Sequence, residues 1–92
     1  MKIVINYSKS TKKFFRKNSA ILTKDKTRKL LIKAANRIAL GKETNIDLTS
    51  LKGNHSGFYR IRYRKVRILF AIKEGEVVVI KVAKIDFRGN TY

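Results

Sequence analysis

Phe58-Tyr-Arg-Ile-Arg-Tyr-Arg-Lys-Val-Arg-Ile-Leu-Phe70 decides the fold, because apolar and arginine side chains alternate along this stretch. Successive side chains of a β-strand point to opposite faces of a sheet. Two strands joined near residues 64 and 65 therefore bury one apolar row and leave a second row uncovered. The stretch predicts a β-hairpin whose arginines converge on one exposed patch, where guanidinium groups bind phosphates in bidentate fashion: Arg60, Arg62 and Arg67.

The segments around the hairpin complete an α+β pattern. Residues 2–7 are rich in β-branched side chains and predict a first strand. A short basic helix is expected at 12–17, and a longer one begins at Thr23 and ends at Gly41. A polar loop at 42–56 leads to the hairpin, and a last strand follows at 77–83. The predicted fold is a single domain, 1–92, with an N-terminal strand and a two-helix hairpin packed on a mainly antiparallel four-stranded sheet.

Residue alternation also assigns the remaining rows. In the last strand Val78, Ile80 and Val82 share one face, which places Lys81 on the other face beside the arginine patch. Tyr59 shares the apolar row of the hairpin, so we interpret it as a core residue. His55 lies in the Gly- and Asn-containing loop and is interpreted as a surface imidazole.

The charge of the chain points to a polyanionic partner. The 92 residues include 23 Lys and Arg against 6 Asp and Glu, a formal net charge of +17. Nucleic acid is the first candidate. A membrane surface fits less well, because the cations are spread through the chain rather than placed beside an exposed apolar helix face. An acidic protein partner is compatible with either.

Composition limits the chemistry and the compartment. The chain has no cysteine and one histidine, so we expect no disulfide, no metal and no other cofactor. No segment reaches the roughly 18 apolar residues of a membrane span, and the short apolar start does not suit a secretory signal. The expectation is a cytoplasmic protein.

Four short motifs follow one another along the chain: Leu51-Lys52-Gly53, Tyr59-Arg60-Ile61-Arg62, Val66-Arg67-Ile68-Leu69-Phe70, and Arg88 with Tyr92 near the end. In this order and spacing they resemble the RelE/ParE superfamily of toxins from bacterial and archaeal toxin–antitoxin pairs, and in particular the RelE-like messenger RNA interferases. The resemblance covers essentially the whole chain. It implies a RelE-like fold whose concave face binds mRNA in the ribosomal decoding site.

The resemblance implies a metal-independent endoribonuclease of a type II toxin–antitoxin system. Attack by the 2′-hydroxyl of RNA needs a proton acceptor, cations for the phosphorane and a proton donor for the leaving oxygen. We expect Arg60 and Arg67 to stabilise the phosphate and Lys52 to act as a base or electrostatically. Tyr92 is expected to stack on a base or assist proton transfer. The expected RNA-binding residues are Arg62 and Arg88, with Lys81 added from the strand pattern.

The last motif departs from the family pattern. Many relatives have a histidine where this chain has Phe87, and another branch has a basic residue where it has Asp86. These changes leave the general base open, and we expect Asp86 to pair with Arg88. Two alternatives stay open: a ParE-like DNA gyrase inhibitor, and a catalytically inactive basic module that binds RNA or an antitoxin.

The resemblance and the charge together predict two partners. One is mRNA on the ribosome. The other is a cognate acidic antitoxin, whose partly disordered segment would fold on the toxin and offset the charge of +17. The toxin alone is expected to be monomeric and the toxin–antitoxin complex oligomeric.

Overall fold

Five strands form one mixed sheet, and two helices cover one of its faces. The computed structural model describes residues 2–88. In chain order the elements are β1 (Lys2–Tyr7), α1 (Lys9–Lys17), α2 (Lys24–Leu40), β2 (Asp47–Ser50), a 3-10 turn (Gly53–His55), β3 (Phe58–Tyr63), β4 (Val66–Lys73) and β5 (Val77–Phe87).

The sheet order is β1-β5-β4-β3-β2, in which β1 runs parallel to β5 and the other neighbours are antiparallel. The α+β class and the hairpin are confirmed. The strand count of four is wrong, because Asp47–Ser50 pairs with β3 inside the segment predicted as a loop. Its short polar sequence gives no strand signal, and polar character is typical of an edge strand. The signal for this strand lies in its partner, the edge of β3 with which it pairs.

The hairpin separates its two rows as the alternation predicts. On the inner side Ile61, Val66, Ile68 and Phe70 are fully buried. Ile61 lies opposite Ile68 in the β3–β4 register, and these side chains pack with buried residues of both helices in one core. The helical members of that core include Phe14, Leu30, Leu31, Ala34 and Ala35.

Local capping fixes the ends of the helices. The Ser8 hydroxyl accepts a hydrogen bond from the Thr11 amide, so α1 begins at Lys9, three residues before the predicted start. The Thr23 hydroxyl caps α2 in the same way, by accepting from the Lys26 amide. Gly41 ends α2 in the left-handed conformation at φ 67°. Both boundaries predicted for α2 are confirmed.

A β-bulge in β5 determines which residues of its second half face outward. The β4–β5 pairing passes from Leu69–Lys84 to Phe70–Val82, so Ala83 is the extra residue. Before the bulge the even-numbered residues face the core; after it, Ile85 is buried and Lys84 takes the opposite face. β5 also continues to Phe87, beyond the predicted 77–83.

Within residues 2–88, no helix combines the length and apolar character needed to cross a membrane.

Candidate functional site on the open face of the sheet

The sheet face turned away from the helices, called the open face below, carries three cross-strand rows defined by the strand register. The three hairpin arginines and Lys81 all lie on it, as predicted. Arg62 and Arg67 are directly opposite each other, and Arg60 is one row away. The rows are Asp47–Arg62–Arg67–Asp86, Thr49–Arg60–Leu69–Lys84, and Phe58–Ala71–Lys81–Asn6.

Arg67 is held by a bidentate ion pair with Asp86. Its Nε donates to Oδ1 and its Nη2 to Oδ2, both at 3.0 Å. Lys84 Nζ lies 3.5 Å from Oδ2 of the same carboxylate. The Arg67 and Asp86 side chains are 36% and 30% exposed, so the guanidinium reaches solvent from a fixed position. Such a pair orients a planar cation for phosphate binding.

The expected partner of Asp86 is corrected by this geometry. Asp86 pairs with Arg67 and Lys84 rather than with Arg88. The register explains the choice, because Arg67 lies directly opposite Asp86 while Arg88 follows the end of β5. Arg88 instead closes the β3–β4 turn: its Nη1 donates to the Arg64 carbonyl at 2.8 Å, and its amide donates to the Lys65 carbonyl at 2.7 Å.

Arg60 differs from Arg67 in its hydrogen bonding. Its side chain is half-buried between Thr49 and Leu69 in the cross-strand row, and its Nε is buried without a hydrogen-bond partner. Burying an unsatisfied polar group costs free energy. A phosphate oxygen is the kind of acceptor that would satisfy this donor, which makes Arg60 a candidate anion-binding residue.

The row Asp47–Arg62–Arg67–Asp86 places two like charges side by side. Cationic side chains directly opposite on neighbouring strands repel each other. A carboxylate stands outside each of them in the register, Asp47 beside Arg62 and Asp86 beside Arg67. The centre of the row is left as a cationic pair, which favours a bound anion.

A cleft of about 230 Å³ opens at the Asp86 end of this row. Two of its lining residues were missed by the sequence analysis. Lys84 faces it only because of the bulge at Ala83, which no local pattern announces. His55 was interpreted as an uninvolved surface residue; it is exposed, but the 3-10 turn places it on the rim of the cleft. The lining residues are Leu51, His55, Arg67, Leu69, Lys84 and Asp86.

Several predicted site residues lie elsewhere. Lys52 is exposed at the start of the 3-10 turn, outside the lining of the cleft. Arg88 is at the hairpin turn, and Tyr92 lies outside the described residues. Phe87 belongs to the core side, where its ring lies 5.6 Å from that of Phe14. The position that the family pattern gives to histidine in many relatives is therefore turned away from the open face.

A larger groove lies beside α1, with a volume of about 750 Å³. Its lining is also basic but contains no carboxylate, so no ion pair fixes its cations as Asp86 fixes Arg67. It is lined by Lys9, Ser10, Lys12, Lys13, Phe15, Arg16 and Lys24. The open face is the better candidate for chemistry because its charged groups are fixed on rigid strands.

Across residues 2–88, no three or more His, Cys, Asp or Glu side chains gather in a way that could hold a metal ion. The charged and titratable groups of the candidate site are its cations, the two row-end carboxylates Asp47 and Asp86, and the imidazole of His55.

Solved structures with the same fold include proteins described as toxins and a toxin–antitoxin complex. A YoeB/ParE toxin from Agrobacterium tumefaciens is 18% identical, with a TM-score of 0.61 over 96% of this chain and 99% of that one. The RelBE2 toxin–antitoxin complex from Mycobacterium tuberculosis gives 16% identity and a TM-score of 0.66 over 96% and 100%. The YoeB–YefM complex from Staphylococcus aureus is 21% identical, with a TM-score of 0.63 over 96% of this chain and 99% of that one.

No protein-family model and no curated protein matches the chain. The structural likenesses confirm the RelE/ParE fold that the sequence motifs led us to expect.

Proposed function

We propose that this chain, which has the RelE/ParE toxin fold, is the toxin of a type II toxin–antitoxin pair and inhibits translation by cutting mRNA on the ribosome. One observation carries the proposal: Arg60, Arg62 and Arg67 lie together on the uncovered face of the sheet, with Arg67 oriented by Asp86. Fixed guanidiniums aimed at a phosphate favour a transition state with extra negative charge.

The proposed reaction is attack of a ribose 2′-hydroxyl on the adjacent phosphorus. The bond from phosphorus to the 2′-oxygen forms and the bond to the 5′-oxygen breaks, which leaves a 2′,3′-cyclic phosphate and a 5′-hydroxyl end. Arg67 and Arg60 would stabilise the phosphorane, and Arg62 and Lys81 would bind the neighbouring backbone. The chain's own residues supply positioning and charge for this reaction, so no metal step is invoked.

Three further assignments stay predictions carried by the family resemblance. Lys52 would assist electrostatically from its exposed position at the start of the 3-10 turn, and Arg88 would bind the RNA backbone where it leaves the hairpin turn. Tyr92 would stack on a base or assist proton transfer.

The proposed protein partner is an acidic antitoxin. Two of the structurally similar proteins were solved as toxin–antitoxin complexes. The net charge of +17 calls for a partner of opposite sign, and a segment that folds as it binds would cover much of this small domain. Co-expression with the neighbouring reading frames and isolation of the complex would test this partner.

The experiment for the activity is regulated expression in a bacterium, with transcript ends mapped across the transcriptome. The wild-type chain is expected to arrest growth and produce cuts within translated messages. The double variant Arg60→Ala, Arg67→Ala should lose at least about 100-fold of the cleavage, because it removes two groups that stabilise the developing charge.

The matched control is Lys13→Ala, Arg16→Ala on α1, which removes the same charge from exposed positions on the helical side. This control should retain arrest and cleavage. Undiminished toxicity of the hairpin double variant would refute the proposal. DNA breaks without transcript cuts would identify the gyrase inhibitor instead, an alternative favoured by the ParE name of one similar toxin. RNA binding without cleavage on ribosomes would identify the inactive module.

A further inference from the structure

We infer that His55 is the general base of the site, the group that takes the proton from the attacking 2′-hydroxyl. This inference rests on the proposed function and names the residue that the family pattern leaves open in this chain.

His55 lies at the cleft that Arg67 and Asp86 also line. His55 ends the 3-10 turn Gly53–His55, whose backbone is tied to the sheet on the near side by the Leu51 amide donating to the Phe58 carbonyl at 2.9 Å. His55 lines the same cleft as Arg67, Lys84 and Asp86. An imidazole and the best-fixed guanidinium of the open face therefore border one small space.

Few of the residues that line the cleft can accept a proton. A proton acceptor must carry a lone pair at neutral pH, whereas lysine and arginine side chains ordinarily carry their protons there. Only Asp86 and His55 remain. Both oxygens of Asp86 already accept hydrogen bonds from Arg67, and protonating this carboxylate would release the guanidinium that holds the phosphate.

A histidine suits the proton transfer that the proposed reaction needs. Histidine ordinarily titrates near pH 6.5, so a histidine base is available at neutral pH and readily gives its proton back to water. In the proposed step the 2′-hydroxyl proton moves to a ring nitrogen of His55 while the 2′-oxygen bonds to phosphorus. The leaving 5′-oxygen takes a proton from solvent water, and the imidazolium later releases its own, so the protons balance.

The surroundings of the imidazole define what else could produce a pH dependence. The charged residues that line the cleft with His55 are Arg67 from β4 and Lys84 and Asp86 from β5, and Lys52 lies at the start of its own turn. Arginine and lysine ordinarily titrate far above neutral pH, and aspartate far below. A change of rate near neutral pH would thus report on histidine rather than on the other residue types that line the cleft.

The test is a pH–rate profile of single-turnover cleavage on ribosomes programmed with a defined message, for the wild type and His55→Asn. The wild-type rate should rise with pH and level off above about pH 7, as a histidine base requires. His55→Asn should lose about 100-fold to 10,000-fold of the plateau rate and the acidic limb of the profile. Affinity for a 2′-deoxy RNA analogue, which has no attacking hydroxyl, should stay unchanged.

Two further variants distinguish chemistry from a structural role. Asn54→Ala alters the neighbouring exposed residue of the same turn and should keep the wild-type profile. His55→Gly should regain rate when free imidazole is added, which a merely structural histidine would not allow.

The outcomes separate the two proposals. If the wild type cleaves and His55→Asn keeps its rate and profile, the assignment of His55 is overturned while the nuclease function stands. The assignment also falls if Tyr92→Phe, rather than His55→Asn, removes the acidic limb. A wild-type chain that cuts no message refutes the proposed function, and the base assignment falls with it.

Discussion

The two faces of the β3–β4 hairpin share one backbone but differ in what they do for the protein. On the inner face Ile61, Ile68 and Phe70 are fully buried against the helices. On the open face Arg62 is exposed, and Arg67, which lies directly opposite it, is partly exposed. Burial of apolar area stabilises the fold, whereas adjacent like charges oppose it. The comparison teaches that the period of two in a strand separates stability from activity residue by residue.

The open face also contains the device that offsets its own repulsion. Asp86 neutralises part of the charge and fixes Arg67, and it reaches this position because the bulge at Ala83 resets the alternation of β5. The inner face needs no such device, since its side chains are apolar. Substitutions at neighbouring positions of the hairpin should therefore affect stability on one face and activity on the other.

The largest expected effect is on stability, from Ile68→Ala on the inner face. This substitution should lower the free energy of unfolding by about 2–5 kcal/mol, because it removes buried methylene groups and leaves a cavity. A domain of this size has only about 5–15 kcal/mol in total. Urea denaturation followed by circular dichroism measures the change.

The neighbouring residue on the open face provides the contrast. Arg67→Ala should change the free energy of unfolding by less than about 1 kcal/mol, since a solvent-accessible ion pair contributes little and Asp86 retains Lys84 as a partner. Comparable destabilisation by the two substitutions would contradict the division of roles between the faces.

The next effect is on activity, from Asp86→Asn. Removing a negative charge should tighten binding of a 2′-deoxy RNA analogue. Loss of the bidentate contact should leave the Arg67 guanidinium without a fixed orientation. We expect the saturating cleavage rate to fall about 10-fold to 100-fold. Fluorescence anisotropy and single-turnover cleavage measure the two quantities separately.

The matched control for that split is Asp25→Asn on α2. Asp25 also pairs with a lysine, Lys29, at 3.4 Å, and its side chain is exposed on α2, which packs on the other face of the sheet. The same change of charge there should leave the cleavage rate unaltered. Equal loss of rate in both variants would show that total charge, rather than orientation of Arg67, sets the activity.

The smallest expected effect is on the stability of the protein at alkaline pH, and it comes from Tyr7. This tyrosine packs edge-on against Phe15 of α1, with 5.5 Å between the ring centroids. Burial raises the pKa of Tyr7 above its ordinary value of 10.0, and the charge of Arg28 partly opposes the shift. The unfolded chain therefore releases this proton first. The contribution of the protonated Tyr7 phenol to the free energy of unfolding is complete below pH 10, and it is lost as the pH rises through the raised pKa of the folded state.

Tyr7→Phe removes that titration. Unfolding free energies from pH 8 to 11 should fall less steeply for the variant than for the wild type, with the two curves diverging only above about pH 10. Curves that stay parallel throughout would show that the phenol is not protected by burial.

Much of the fold was predictable because its signals are local. Thr23 and Gly41 mark the ends of α2 through capping geometry that depends on a few neighbouring residues. The alternation of the hairpin likewise placed Arg60, Arg62 and Arg67 on one face. β2 was missed, since a short polar edge strand is specified by the partner edge it meets rather than by its own residues.

The candidate site was less predictable because its members come from distant parts of the chain. The sequence alone determined which side chains of β3 and β4 share a face, since a strand turns each successive residue over. Only the tertiary structure decided that Asp86, rather than solvent, meets Arg67 and that His55 reaches the same cleft. Those contacts depend on the register between β4 and β5, on the extra residue at Ala83 and on the path of the turn after β2. Each is fixed by packing of the whole sheet, which no local pattern encodes.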